Sequence, residues 1–177
     1  RALFSVLAWA AQPLLRRKLR RRAVAEPGYA VAVPERFGYY QPQDLGQDGR
    51  GQWIWIHSVS LGETRAAAIL VKALRERIPN MRLLLTHSTA TGREEGAKLL
   101  QPGDVQVWLP WDTLGATRRF LQQFRPAVGV LMETEIWPNL IAACANAGVA
   151  LTLANARLNE KSQAGALKIK PISRPAY

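Results

Sequence analysis

Short, mostly apolar segments alternate in this chain with longer segments whose apolar residues recur at helical spacing. The short segments cover residues 53–58, 82–88, 105–110, 127–132 and 149–154. The longer segments cover residues 63–78, 92–100, a stretch from Asp112 or Thr113 through Phe124, and 137–147. Strands that are apolar throughout are buried on both faces, as in a parallel sheet covered by helices. The alternation therefore predicts an α/β fold, a Rossmann-like parallel sheet with helices on both faces.

The formal charge of +11 is carried by the two ends of the chain. Residues 1–22 contain seven basic residues and residues 161–177 contain four, and neither range has an acidic residue. Nucleic-acid binding by these ends would depend steeply on salt, but the neutral body between them offers no base-reading surface. We therefore predict no nucleic-acid partner. The single Cys144 excludes a disulfide framework and is expected in the core of a helical segment.

The first segment joins an apolar run, residues 2–15, to a basic cluster, residues 16–22. The run is shorter than the roughly 20 apolar residues that span a bilayer. We predict that residues 1–22 form a membrane-associating helix whose Lys and Arg meet an anionic membrane surface. Two alternatives are the end of a true span and an amphipathic helix packed on the body. Residues 23–50, rich in Pro, Gly and Gln, are predicted to be a linker.

Polar residues follow each of the five predicted strands. They occupy residues 57–63, 86–94, 109–112, 132–139 and 154–162. In an open α/β sheet, ligands bind outside the carboxyl ends of the strands. We therefore expect the functional site among these segments.

Glu63 follows Gly62 where the chain turns from the first strand into a helix. Glycine permits a tight bend and a close approach to a ligand. A carboxylate at a helix N-terminus can accept a proton from a substrate hydroxyl and so act as a general base. The alternative is that Glu63 only complements the helix dipole.

Glu133 and Glu135 lie at the end of the fourth strand. Carboxylates at a buried strand end need partners, and Arg93 and Arg157 at neighbouring strand ends are the expected ones. For at least one of the two glutamates, a structural ion pair at a helix start is the alternative to substrate contact.

The two histidines, His57 and His87, lack Cys or Asp neighbours at ligand spacing, so we expect hydrogen bonds to the backbone instead of a metal site. The chain has no GxGxxG after its first strand and no GxxxxGK[ST]. These motifs are the strongest sequence evidence for a dinucleotide-dependent oxidoreductase and for a P-loop hydrolase, so neither function is favoured.

Four motifs, HSVSLGE (57–63), TATGRE (89–94), METEIWPN (132–139) and NARLNEKS (155–162), occur here in order. In this order and spacing they resemble bacterial 3-deoxy-D-manno-octulosonic acid (Kdo) transferases. The PERFGYY segment (34–40) and the apolar-basic start are also similar to that family. The resemblance runs from about residue 3 to residue 165.

The resemblance implies the N-terminal half of a GT-B glycosyltransferase, which moves Kdo from CMP-Kdo to the lipid A precursor with inversion and without a metal or cofactor. It implies a location on the cytoplasmic face of the bacterial inner membrane. It makes Glu63 the catalytic base and places Glu133 in the active site. Other positions match family motifs and are expected to bind the acceptor or line the cleft: Ser58, Ser60, Gly62, Arg93, Asn155 and Arg157.

By the same resemblance, residues 51–165 form the acceptor domain and residues 166–177 an atypical tail. The donor-binding domain is expected to be absent from the chain, which alone would be inactive. Two other functions stay open: a noncatalytic membrane-associated lipid-binding fragment, and another GT-B sugar transferase.

Overall fold

A computed structural model describes residues 2–42, 53–133 and 137–156 of the chain. Two helices come first, α1 (Ala2–Ala10) and α2 (Gln12–Ala25), followed by 3₁₀ helices at Pro27–Ala30 and Val33–Phe37. The body then alternates strand and helix. Its elements are β1 (Trp53–His57), α3 (Leu61–Arg77), β2 (Arg82–His87), α4 (Ala90–Ala97), β3 (Val105–Trp108), α5 (Leu114–Phe124), β4 (Val128–Met132), α6 (Pro138–Ala147) and β5 (Ala150–Ala154).

The five strands form one parallel sheet in the order β3-β2-β1-β4-β5. The predicted fold class is confirmed, and each strand lies inside its predicted segment. β1 is the central strand and lies between β2 and β4, and the later strands are added in opposite directions on its two sides. The carboxyl ends of β1 and β4 are thus neighbours at the switch point of the sheet, where open α/β sheets bind ligands.

Each face of the sheet has its own hydrophobic cluster. Alternate strand residues such as Trp55 and Leu84 pack with Phe120 of α5 and Leu140 of α6. The intervening residues pack with α3 on the opposite face, where the cluster includes Ile56, Ala67, Val71, Leu83, Leu85 and Val130. Because successive side chains of a strand point to opposite faces, burial on both sides requires the unbroken apolar runs of the sequence.

Residues 23–50 were predicted to be a linker, but their described part is packed against the sheet. Tyr29, Arg36 and Phe37 are buried. The Trp108 indole N–H donates to the carbonyl of Val31, 2.7 Å away, and the Trp108 backbone N–H donates to Glu35 Oε2 at 2.8 Å. Composition suggested a flexible connection, whereas these bonds attach the segment to β3.

The N-terminal helices rest near the carboxyl edge of the sheet. The Ser5 hydroxyl of α1 donates to Asn139 Oδ1 at the start of α6, 2.8 Å away. Leu19 of α2 is buried, while Leu3, Val6, Leu7 and Trp9 of α1 expose more than half of their surface. Among the described helices, none combines the length and the apolar character that crossing a membrane needs.

Candidate active site

The turn after β1 holds Glu63 in a fixed orientation. Ser60 caps α3, and its hydroxyl oxygen accepts the Glu63 N–H at 3.4 Å. In return the Ser60 hydroxyl donates to Glu63 Oε1 at 3.0 Å, and the Val59 N–H donates to Oε2 at 2.7 Å. This reciprocal bonding is close to the Ser-x-x-Glu capping box that the sequence contains. Glu63 therefore does stabilise the helix start, as one of the two interpretations expected.

These contacts leave the Glu63 carboxylate able to accept a proton. An ionised carboxylate has about four lone-pair positions, and two hydrogen bonds occupy only part of them. Glu63 is 9 % exposed, so water reaches little of it. A buried carboxylate whose direction is set by neighbouring donors is the preorganised form of a general base. The structural and the catalytic interpretations are thus compatible at this residue.

Gly62 does not serve the tight bend that the sequence suggested. It lies in the first turn of α3, and a Cβ added to it would meet no described residue within 4 Å. Glycine inside a helix costs up to ~1 kcal/mol relative to alanine. No packing among the described residues requires glycine here. The effect of the glycine is therefore to leave the backbone beside Glu63 exposed.

Ser58 is fully buried, and its hydroxyl contacts α3 and the end of β2. Its hydroxyl lies 3.0 Å from Thr64 Oγ1 and 3.2 Å from His87 Nδ1. Ser58 therefore supports the turn from below, and the structure does not bring it to the surface with Ser60 and Gly62.

Glu133 directly follows β4 and lies at the same edge as the Ser60–Glu63 turn. Its φ is 60°, in the left-handed region, and its N–H donates to the Ala154 carbonyl at 2.9 Å. Asn155, which directly follows β5, has a φ of 54° and is exposed. Left-handed backbone costs a non-glycine residue of order 1 kcal/mol or more, and such strain is often retained at functional sites.

Among the described residues Arg93 does not pair with Glu133, so that part of the prediction is wrong. Its guanidinium pairs with Glu35 Oε2 at 3.1 Å and lies over the Trp108 ring, 4.8 Å from the centroid. The reason is topological, because α4 leads from β2 outward to β3, away from β4. Glu135 and Arg157 lie outside the described residues.

Asp112 is a residue whose role sequence reasoning missed. Thr113, not Asp112, caps α5, and Asp112 reaches across to α6 instead. Its carboxylate accepts the N–H of Asn139 at 3.1 Å and of Leu140 at 2.8 Å. Burial raises the pKa of this carboxyl. One signal was available: α6 starts at Pro138 after Trp137, with no side chain of its own to cap it.

Both histidines make the backbone contacts that were predicted. His57 Nδ1 lies 3.1 Å from the Thr86 carbonyl oxygen, and His87 Nδ1 lies 3.0 Å from that of Ser58. Desolvation lowers the pKa of His57 to about 4 and that of His87 to about 3, so both are neutral at pH 7. In the described ranges, no three His, Cys, Asp or Glu side chains form a possible metal site. Cys144 is in the core, as expected.

Comparison with known proteins gives consistent matches. Residues 32–177 match the family model described as 3-deoxy-D-manno-octulosonic-acid transferase (kdotransferase). The Bordetella pertussis 3-deoxy-D-manno-octulosonic acid transferase is 53% identical over 119 residues, which is 63% of this chain and 27% of that protein. The Haemophilus influenzae transferase is 32% identical over 170 residues, 96% of this chain and 39% of that protein.

A plant protein named as a probable mitochondrial 3-deoxy-D-manno-octulosonic acid transferase, from Arabidopsis thaliana, is 34% identical over 160 residues. That alignment covers 90% of this chain and 35% of the relative. The chain thus spans about a third of the length of the curated relatives it matches, with coverage from 27% to 39% in these three. Together with the parallel sheet and its strand-end motifs, these matches show that the chain belongs to the Kdo transferase family, as an N-terminal domain.

Proposed function

We propose that this chain is the acceptor-binding, base-carrying part of an enzyme that moves Kdo from CMP-Kdo to a hydroxyl of the lipid A precursor. The observation that carries the proposal is the position of Glu63. Its carboxylate is oriented by two hydrogen bonds at the carboxyl end of β1, beside the end of β4. Open backbone at Gly62 leaves room next to it.

In the proposed reaction Glu63 takes the proton of the acceptor hydroxyl. The freed oxygen attacks the anomeric carbon of Kdo from the face opposite CMP. One carbon–oxygen bond forms, the bond to the CMP phosphate breaks with its electron pair, and CMP leaves as an anion. The configuration at the anomeric carbon inverts, and the proton is left on Glu63.

We further propose that this transfer needs no metal ion or cofactor. The nucleophile is activated by proton removal alone, which a positioned carboxylate can perform. Initial rates are then unchanged by excess EDTA. A rate that falls on chelation and returns with added Mg²⁺ would contradict this part of the proposal.

The N-terminal helices are proposed to hold the protein at the anionic, cytoplasmic face of the bacterial inner membrane. The exposed apolar side chains of α1 and the basic residues of α2 support this. Replacing Leu7 and Trp9 by Ser should reduce sedimentation with anionic vesicles. Equal sedimentation of this variant and the unchanged protein would contradict the proposal.

The test of the catalytic role is Glu63→Gln in a full-length transferase that carries these residues. Glutamine can still accept the Val59 N–H, but it cannot take a proton. We expect the rate of Kdo transfer to fall by roughly 10²–10⁴, with lipid binding retained. The control is Glu76→Gln, the same change at an exposed position of the same helix. A Glu63→Gln enzyme whose transfer rate is within twofold of the control would contradict the role of Glu63 as the base.

A further inference from the structure

A pocket of about 160 Å³ lies between α2 and the chain segments that follow β2 and β3. The residues lining it that matter to the argument are Lys18, Arg22, Arg36, Ser88, Trp111 and Trp137. Ser88 and Trp111 follow β2 and β3, so the pocket lies at the carboxyl edge of the sheet, the edge that also carries the candidate active site.

Arg36 is the most unusual residue of the pocket, because it is a charged side chain with only 5 % of its surface exposed. One terminal nitrogen donates to the Ser88 carbonyl at 3.3 Å, and the guanidinium lies over the Trp108 ring, 3.8 Å from its centroid. Its Nε has no hydrogen-bond partner within the described chain. Buried charges are normally paired with an opposite charge.

The neighbouring carboxylate of Glu35 is already engaged elsewhere. Glu35 Oε2 accepts from the Arg93 guanidinium at 3.1 Å and from the Trp108 N–H at 2.8 Å. Desolvation lowers the pKa of Arg36 to about 10, so the group keeps its charge at neutral pH. The described surroundings of Arg36 therefore leave a buried positive charge without a carboxylate of its own.

Two further cations face the same space. Lys18 and Arg22 lie one turn apart on α2, are exposed, and line the pocket. Arg22 is steadied by Tyr29, whose hydroxyl accepts from it at 3.3 Å. No Asp or Glu is among the described residues that line this pocket. Three basic groups thus converge on a small cavity with hydrogen-bond donors on one side and tryptophan rings on another.

We propose that this pocket binds a phosphate monoester. Such a group carries a charge between −1 and −2 at neutral pH and three acceptor oxygens, which suit a guanidinium and two further cations. The unpaired Nε of Arg36 supplies a donor at the buried end. Lys18 and Arg22 supply charge at the mouth.

The phosphate has two possible carriers. It is either a phosphate on the sugar acceptor, an assignment that rests on the proposed function, or the headgroup of a membrane phospholipid. Both would present the same chemistry to the pocket. The position of α2 above the pocket is compatible with each of them, so the experiment has to separate them.

Inorganic phosphate is the first probe, titrated into the protein and followed by ³¹P NMR or calorimetry. We expect Arg36→Gln to weaken binding by roughly 30-fold or more, because a buried charged contact is lost. Lys18→Gln should weaken it by roughly two- to fivefold, as for an exposed charge pair. Arg20→Gln removes the same charge from an exposed position of α2 outside the pocket and should change binding little.

Lys18→Gln keeps the test decisive if Arg36→Gln does not fold, because Lys18 is exposed. If Lys18→Gln and Arg20→Gln weaken phosphate binding equally, the proposed site is wrong, because phosphate is then attracted to the basic helix as a whole. Phosphate binding that is absent from the unchanged protein would overturn it as well.

The two carriers are separated with the Lys18→Gln variant. If the acceptor carries the phosphate, KM for the acceptor rises while kcat is retained, and Glu63→Gln leaves phosphate binding unchanged. In the other outcome, KM for the acceptor is unchanged, and the variant binds less well to phosphatidylcholine vesicles that contain phosphatidic acid. The phosphate site is then confirmed, but the phosphate belongs to a membrane phospholipid and not to the acceptor. Failure of the Glu63 test leaves the phosphate titration unaffected, so the two proposals fail separately.

Discussion

Two neighbouring turns at the switch point of the sheet are built in opposite ways. The turn after β1 is local, because Ser60 and Glu63 bond each other and the Val59 backbone within a few residues. The turn after β4 depends on distant parts of the chain. The Glu133 N–H donates to the carbonyl of Ala154, the last residue of β5, and the helix after it is capped by Asp112 from the loop after β3.

The difference separates two ways of placing a carboxylate. A local capping motif orients Glu63 whenever α3 forms, with low dependence on the rest of the fold. Glu133 reaches its place only when β4, β5 and α6 are all assembled, and it holds a left-handed backbone there. We therefore expect substitutions in the turn after β1 to lower kcat. Substitutions that disrupt the turn after β4 should first lower the free energy of unfolding.

The largest effect should come from comparing Glu63→Gln with Asp112→Ala in transfer assays. Glu63→Gln is expected to lower kcat by roughly 10²–10⁴ while the free energy of unfolding changes little, because the glutamine oxygen can still accept the Val59 N–H and its NH₂ can donate to the Ser60 hydroxyl oxygen. Asp112→Ala should do the reverse, with kcat preserved at a temperature where the variant is folded. Equal losses of kcat in the two variants would remove the distinction between the turns.

The support under the first turn should be sensitive to acid. His87 bonds the Ser58 carbonyl, and burial lowers the pKa of His57 to about 4 and of His87 to about 3. Both folded-state values lie below the unfolded value of about 6.5, so the neutral histidines favour folding above that pH. This stability is lost as the pH falls, by roughly 2 kcal/mol for each histidine at pH 5. Urea unfolding at pH 7.5 and pH 5 measures it.

A variant with Asn at both histidine positions is the control for that measurement. Its stability should vary less between the two pH values. It also separates the histidines from Asp112, whose carboxyl has a raised pKa through burial and therefore favours the folded state when protonated. An unchanged slope in the variant would show that the acid sensitivity has another origin.

The second turn should lose stability when its cap is removed. Asp112→Ala leaves the N–H groups of Asn139 and Leu140 without their acceptor, which should cost about 2 kcal/mol. Asp112→Asn keeps one acceptor oxygen and should lose less. Thermal or urea unfolding followed by circular dichroism measures both variants. Equal stability of the Ala variant and the unchanged protein would mean that α6 begins without this cap.

The smallest expected change in stability is at Gly62 of α3, and Gly96 of α4 provides the comparison. Gly62→Ala should stabilise the protein by up to ~1 kcal/mol, because alanine suits a helix better and its methyl group meets nothing. Gly96→Ala should destabilise it by about 1–3 kcal/mol, because the methyl group would press on the His87 ring. Gly62→Ala should also slow transfer if the open backbone beside Glu63 admits the acceptor. A destabilised Gly62→Ala protein would contradict the open geometry of the first turn.

Much of the fold was predictable because its determinants are local. Apolar runs mark the five strands, and Thr113 and Gly148 mark the start of α5 and the end of α6. The start of α4 was placed two residues late, at Gly92 instead of Ala90, because the Thr89 cap was overlooked. The packed segment at 27–40 was taken for a linker because its turn residues resemble those of a flexible chain.

The sequence by itself determined the alternation of strands and helices, the capping motif at Glu63 and the position of each polar motif at a strand end. These follow from side-chain period and from hydrogen bonds that span only a few residues. Tertiary structure alone decided that Arg93 pairs with Glu35, that Asp112 caps a distant helix, and that Arg36 is buried without a carboxylate of its own among the described residues. Those outcomes depend on strand order and on which surfaces meet, because a buried charge is satisfied by whatever group the fold brings beside it.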